Sequence, residues 1–131
     1  MTSVQRYLPV FGRVLLAVLF VMSGISKLTD PAGTIGYIHS AGLPLPNIAY
    51  GIALTVELLG GILLIVGYRT RLVALILAVF TVAAAIGFHA HFADQNQMIH
   101  FMKNIAIAGG LLQIVAFGAG AFSLDSRLGK A

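Results

Sequence analysis

Ile48-Ala49-Tyr50-Gly51-Ile52-Ala53-Leu54-Thr55-Val56-Glu57-Leu58-Leu59-Gly60-Gly61-Ile62-Leu63-Leu64-Ile65-Val66 is a continuous apolar run with a carboxylate about halfway along it. Its length is that of a membrane-spanning helix, which needs about 20 predominantly apolar residues. An ionisable residue at the centre of such a helix costs roughly 2.5–3.5 kcal/mol on insertion scales. Glu57 must therefore be neutralised, paired, or turned towards a polar cavity. Gly60 and Gly61, about one turn further on, give a neighbouring helix room to approach closely.

The rest of the chain has the same character. Of its 131 residues, 59% are hydrophobic and only 9% charged, against roughly 25% charged in soluble domains. Four apolar runs, at about residues 7–28, 47–66, 72–91 and 101–117, leave no chain for a second domain, and no internal repeat is visible. The chain is expected to be all-α and polytopic: one domain over residues 1–131, an antiparallel four-transmembrane-helix bundle in a lipid bilayer. Arg6 and Arg13 precede the apolar stretch Val14–Met22 as in a signal peptide. No small-residue cleavage site follows, so this stretch is expected to stay as the first span. There is no cysteine, which excludes disulfides and dithiol chemistry carried by this chain.

Arg13, Ala17, Phe20, Gly24 and Lys27 follow one another at steps of three and four and line one face of the first span. Arg13 lies near one membrane surface and Lys27 near the other. Lys27 either snorkels to the headgroups or turns into the bundle; Arg13, further inside its span, calls for a partner within the bundle. Asp30 followed by Pro31 starts a short interfacial helix between spans one and two, which Gly42 and Pro44 end. It serves either as a connector or as a lid over the mouth of the bundle. Gly67-Tyr68-Arg69-Thr70-Arg71 is a tight turn in which Gly67 ends one helix and Thr70 caps the next, making spans two and three an antiparallel hairpin. Ala74, Ala78, Thr81, Ala85 and His89 form a small-residue stripe on the third span. Ala90–His100 reads as a polar connection. On the fourth span Lys103, Ala106 or Ile107, Gly110, and Gln113 or Ile114 share a face.

The net charge of +4 is explained by topology rather than by nucleic acid. Four spans put both termini and the 67–71 turn on one side, with Arg6, Arg13, Arg69, Arg71, Arg127 and Lys130; Lys27 and Lys103 are left on the other. The positive-inside rule then predicts a multi-pass plasma-membrane protein with both termini cytoplasmic.

Two polar groups result. The inner one is Arg13 with Glu57: Arg13 starts roughly 6–10 Å closer to the cytoplasm, a gap its side chain could largely span. Such a pair would either specify packing alone or include a ligand-orienting or proton-handling carboxylate. The outer group is Lys27, Tyr37, His39, His89, His91, His100, Lys103 and Asn104. Its histidines are poorly spaced for a metal, with His89 and His91 on different helix faces and no cysteine to join them, so no metal site is expected. Lys27, His89, Lys103 and Asn104, with Tyr37 above them, could converge into a basic, hydrogen-bond-donating pocket. That chemistry suits a carbonyl or an anionic head group, and a quinone offers two carbonyls on a flat apolar body. A purely structural role for the same residues stands beside this reading. No nucleophile triad, phosphate loop, haem-attachment motif or dinucleotide fingerprint is present.

Taken in order, the sequence resembles the DoxX family of small bacterial inner-membrane proteins. The matching stretches are Gly12-Arg13 through Gly24 and Lys27, Tyr37 with Gly42-Leu43-Pro44, Glu57-Leu58-Leu59-Gly60-Gly61 and Gly67-Tyr68-Arg69-Thr70-Arg71. Phe88-His89, Phe101-Met102-Lys103-Asn104, Gly109-Gly110 and Gly120-Ala121-Phe122-Ser123-Leu124-Asp125 complete the series. The resemblance implies four transmembrane helices and an inner-membrane location. It also implies an oxidoreductase linked to quinone or thiosulfate oxidation, or to quinone and oxidative-stress resistance. On that reading the chain, without a redox-active side chain, contributes a quinone-binding pocket, with no covalently bound cofactor, beside a redox protein partner or in a homo-oligomer. Whether it is itself an enzyme stays open. The alternative is a non-enzymatic assembly or chaperone subunit that grips a partner protein through its membrane faces.

Overall fold

The computed structural model describes residues 2–90 and 92–129; His91 and Lys130, which enter the histidine and charge readings, lie outside the described residues. The protein is an all-α polytopic membrane protein. Its long helices are α1 (Ser3–Thr29), α3 (Pro46–Val66), α4 (Thr70–Phe88) and α5 (Gln95–Phe117), each long and apolar enough to cross a bilayer. Two short helices complete it, α2 (Pro31–Ser40) between the first two spans and α6 (Leu124–Arg127) after the last. Leu15 and Phe117 are 73% and 78% exposed, an arrangement that water would penalise and lipid favours.

Helix ends follow their capping chemistry more than the hydropathy. Thr2 and Gln5 form a capping box that starts α1 at Ser3, ahead of the expected residue 7. The Asp94 carboxylate accepts from the Asn96 N–H at 3.0 Å and starts α5 at Gln95. The expected polar connection Ala90–His100 is therefore half helix, because a cap outweighs the polarity of the residues behind it. Asp30 caps α2 by accepting from Gly33 N–H at 3.1 Å, with Pro31 at the first helical position as expected.

The α3–α4 turn departs from its expected cap. Gly67 ends α3 at φ +73° and Arg69 enters α4 at φ +47°, both left-handed. Thr70 does not cap the helix; its hydroxyl is buried without a partner among the described residues. The tail does so instead: Asp125 accepts from the Arg69 and Thr70 N–H groups at 2.7 and 2.8 Å, and its own N–H donates to Gly67 O at 2.8 Å. A carboxylate there meets both the open donors and the positive end of the helix dipole.

The bundle is two tight pairs, α1 with α3 and α4 with α5, joined through α3 and α4, whereas α1 and α5 touch only sparsely. The buried face of α1 is Arg13, Ala17, Phe20 and Gly24, as the stripe predicts. On α4 it is Thr70, Val73, Ala74, Leu77, Ala78, Thr81 and Ala85. On α5 the packed face is Ala108 and Leu111 with Ile107 and Ile114 beside them, so of the expected face Ile107 and Ile114 turn inward while Lys103 and Gln113 are exposed. Ala108 and Leu111 close the core with Leu64 and Leu77.

Gly61 sets how closely α1 and α3 approach. A Cβ there would lie 2.7 Å from Val21 Cγ2 and 3.2 Å from both Ala17 O and Val21 N. Two of these neighbours are backbone and cannot swing aside. Gly61→Ala is expected to cost about 1–3 kcal/mol through this overpacking. Gly109, where a Cβ would meet nothing within 4 Å, is the control: Gly109→Ala should be neutral or gain up to about 1 kcal/mol from helix propensity. Thermal unfolding of both variants in detergent checks the contrast; equal midpoints would contradict it.

Candidate functional site

Side chains on a helix lean towards its N-terminus. In the antiparallel pair α1 and α3, that rule decides which basic residue meets Glu57. Lys27, near the C-terminal end of α1, leans back into the bundle, and Glu57 on α3 leans up towards it. Lys27 Nζ and Glu57 Oε1 are 2.8 Å apart, with Glu57 only 2% exposed. Lys27 Nζ also donates to Ser23 Oγ at 3.0 Å, and Tyr50 Oη–H donates to Lys27 O at 3.1 Å. Glu57 Oε2 has no partner among the described residues.

The expected Arg13–Glu57 pair is thus replaced by Lys27–Glu57. Arg13 and Glu57 lean away from each other, towards opposite ends of the bundle. Arg13, 2% exposed, instead binds the chain after α5. It donates through Nη1 to Ala119 O and through Nη2 to Phe122 O at 2.7 Å and Ile65 O at 3.3 Å. It belongs to the turn end of the molecule and lines no part of the cavity described next.

That cavity, about 870 Å³, lies at the α2 end of the bundle, within the range typical of small-molecule sites. Lys27, Tyr37, His89, Lys103, Asn104 and Glu57 all line it. Leu19, Ile52, Phe80, Phe88 and Ile107 supply apolar wall, and Gly33, Thr34 and Tyr37 of α2 line it too.

The polar groups differ in what they leave available. Tyr37 stacks on Phe88, with ring centroids 5.3 Å apart and planes at 12°, which presents a flat aromatic surface. His89 Nδ1 lies 3.2 Å from Gln97 Oε1, and its ring stacks at 5.1 Å on His100, which also lines the cavity. Asn104 Nδ2 donates to Thr81 O at 3.3 Å, and its Oδ1 has no hydrogen-bond partner among the described residues. Lys103 forms no ion pair or hydrogen bond among the described residues. His39 is exposed and does not line the cavity. Among the described residues no three of His, Cys, Asp and Glu converge on a point.

Sequence reasoning missed the Lys27–Glu57 pair and the capping role of Asp125. The first was accessible from helix direction: residues on antiparallel helices meet only when both lean towards the same level. The second has a weaker signal, an acidic residue soon after Gly118 and Gly120 end the last span.

Fold and site define a small four-span membrane protein with a mixed polar and apolar cavity at one end of its bundle. The chain belongs to the DoxX family, whose family model matches residues 8–90. That stretch takes in most of α1 and all of α2 to α4; Lys103 and Asn104 lie beyond it. Among curated proteins the chain is similar to "Inner membrane protein YqjF" of Escherichia coli (strain K12), 37% identical over 91% of this chain and 90% of the relative. It is similar also to "Inner membrane protein YphA" of the same organism, 34% identical over 95% of this chain and 93% of the relative. "Putative oxidoreductase CatD" of Bacillus subtilis (strain 168) is 39% identical over 56% of this chain and 54% of its own length. No solved structure matches.

Proposed function

We propose that this protein is a component of a quinone-linked oxidoreductase system and binds a quinone-like small molecule in the cavity at its α2 end. The observation that carries this reading is the lining itself. Lys103 and the Nε2 of His89 have no protein partner among the described residues, and they border the same space as the stacked Tyr37 and Phe88. A flat apolar body with polar oxygens at its edge fits such a lining. Lys27, His89, Lys103 and Asn104 contact the head group, Tyr37 covers it, and Glu57 is held on the cavity wall by Lys27.

The name of the Bacillus subtilis relative supports the redox class, although it matches only part of the chain. Having no cysteine, this chain leaves electron transfer to the bound molecule and to a partner protein or a second copy. The basic residues at the turn end support placing both termini in the cytoplasm of a cell whose inner membrane holds the protein, so that the cavity faces outward.

Titration calorimetry of the purified protein with menadione, supplied in its oxidised and reduced forms, tests the reading. Lys103→Ala, which removes an exposed side chain with no structural bond, is expected to weaken binding about tenfold through loss of a charged donor. Unchanged affinity would remove Lys103 from the site; no binding of either form would sink the proposal.

A further inference from the structure

Glu57 and Lys27 together carry more information than a buried pair usually does. Glu57 Oε1 accepts from Lys27, while Oε2 has no donor among the described residues, although the residue is 2% exposed and borders the cavity. A buried carboxylate oxygen without a donor is disfavoured, so a donor brought in from the cavity beside Glu57 would be favoured there. Lys27 uses two N–H groups, on Glu57 and Ser23. An ammonium has three, so one is left for the cavity that Lys27 also lines.

The two unmet requirements are opposite in kind: Oε2 needs a donor and Nζ needs an acceptor. A carbonyl oxygen accepts only. A hydroxyl accepts through its lone pairs and donates through its proton, so one hydroxyl answers both. We infer that the Lys27–Glu57 pair is a hydroxyl-reading element, and that the molecule bound in the cavity is a hydroxyl-bearing aromatic, a hydroquinone in preference to a quinone. This rests on the proposed binding of a quinone-like molecule and specifies which form is held. The aromatic body lies between the apolar walls, with Lys103 and His89 reserved for its second oxygen. An ordered water on Oε2 is the competing occupant, and it predicts no preference for the reduced ligand.

The test compares menadiol, kept reduced under anaerobic conditions, with menadiol dimethyl ether and with menadione, by calorimetry on the full chain in detergent. A hydrogen bond to a charged acceptor corresponds to roughly a tenfold to hundredfold change in affinity. Menadiol binding at least about tenfold tighter than both others supports the inference. Equal or tighter binding of menadione overturns it while leaving quinone-type binding intact. Failure of all three to bind overturns both. In Glu57→Gln, whose amide adds a donor, the preference is expected to shift towards menadione; a folded variant with unchanged preference removes Glu57 from the role. The comparison on the unaltered protein decides the matter even where that variant does not fold.

Discussion

Lys27→Met is expected to destabilise the protein by about 3 kcal/mol, the cost of leaving one partner of a buried ion pair alone. Glu57 is 2% exposed and lies near the middle of α3, whereas Lys27 is 26% exposed towards the cavity. Removing the lysine leaves the buried Glu57 carboxylate without its charged partner. Removing both charges, in Lys27→Met/Glu57→Leu, is expected to recover most of the loss, because an apolar pair of similar volume packs well in such a setting. Ser23 then loses a partner for its hydroxyl, a smaller effect. Unfolding of the single and double variants in one detergent gives the coupling energy. Additive losses would mean that the 2.8 Å contact contributes little to the fold.

The second large effect is expected at the opposite end. Arg13→Met takes the donor from Ala119 O, Phe122 O and Ile65 O at once. The guanidinium is the only side chain that forks across several carbonyls from a rigid plane, so Arg13→Lys should restore only part of the loss. A loss of about 3 kcal/mol is expected for methionine, from removing a charged donor to one buried and two part-buried carbonyls. Asp125→Ala should cost less, about 1–2 kcal/mol, as the loss of a helix cap. Because Arg13 and Asp125 hold the same tail, their combined effect should fall short of the sum. Limited proteolysis gives a second readout: residues 118–129 should be cut faster in Arg13→Met than in the parent. Equal cutting and equal stability would show that Arg13 is held by the tail without holding it.

The spans were legible because membrane insertion imposes a coarse rule that a sequence states openly: long apolar runs with few charges. The small-residue stripe of α4 and the buried face of α1 were legible for a related reason, since close packing needs small side chains at helical spacing. The limits came where direction or distance in the chain mattered. Arg13 and Glu57 lie at compatible depths and were matched on that ground, yet their side chains lean apart. Thr70 is a good capping residue by type, but a left-handed Arg69 before it and a carboxylate from more than fifty positions away took its task. Of the cavity residues, Lys27, Tyr37, His89, Lys103 and Asn104 were each singled out, and the fold brings all five to one space. What they bind was not legible, since a free N–H specifies an acceptor and nothing more.

The Asp125 cap also sets an order of events during synthesis. Asp125 lies downstream of all four spans, so the α3–α4 turn leaves the ribosome and enters the membrane with its first N–H groups uncapped. Until α5 and the segment after it have emerged, water at the membrane surface satisfies those groups. Only then can Arg13 and Asp125 close the turn end around residues made at three different times. A chain that stalls or is cut before Asp125 would carry every span and still lack the clasp that fixes them, a state a membrane quality-control protease could recognise.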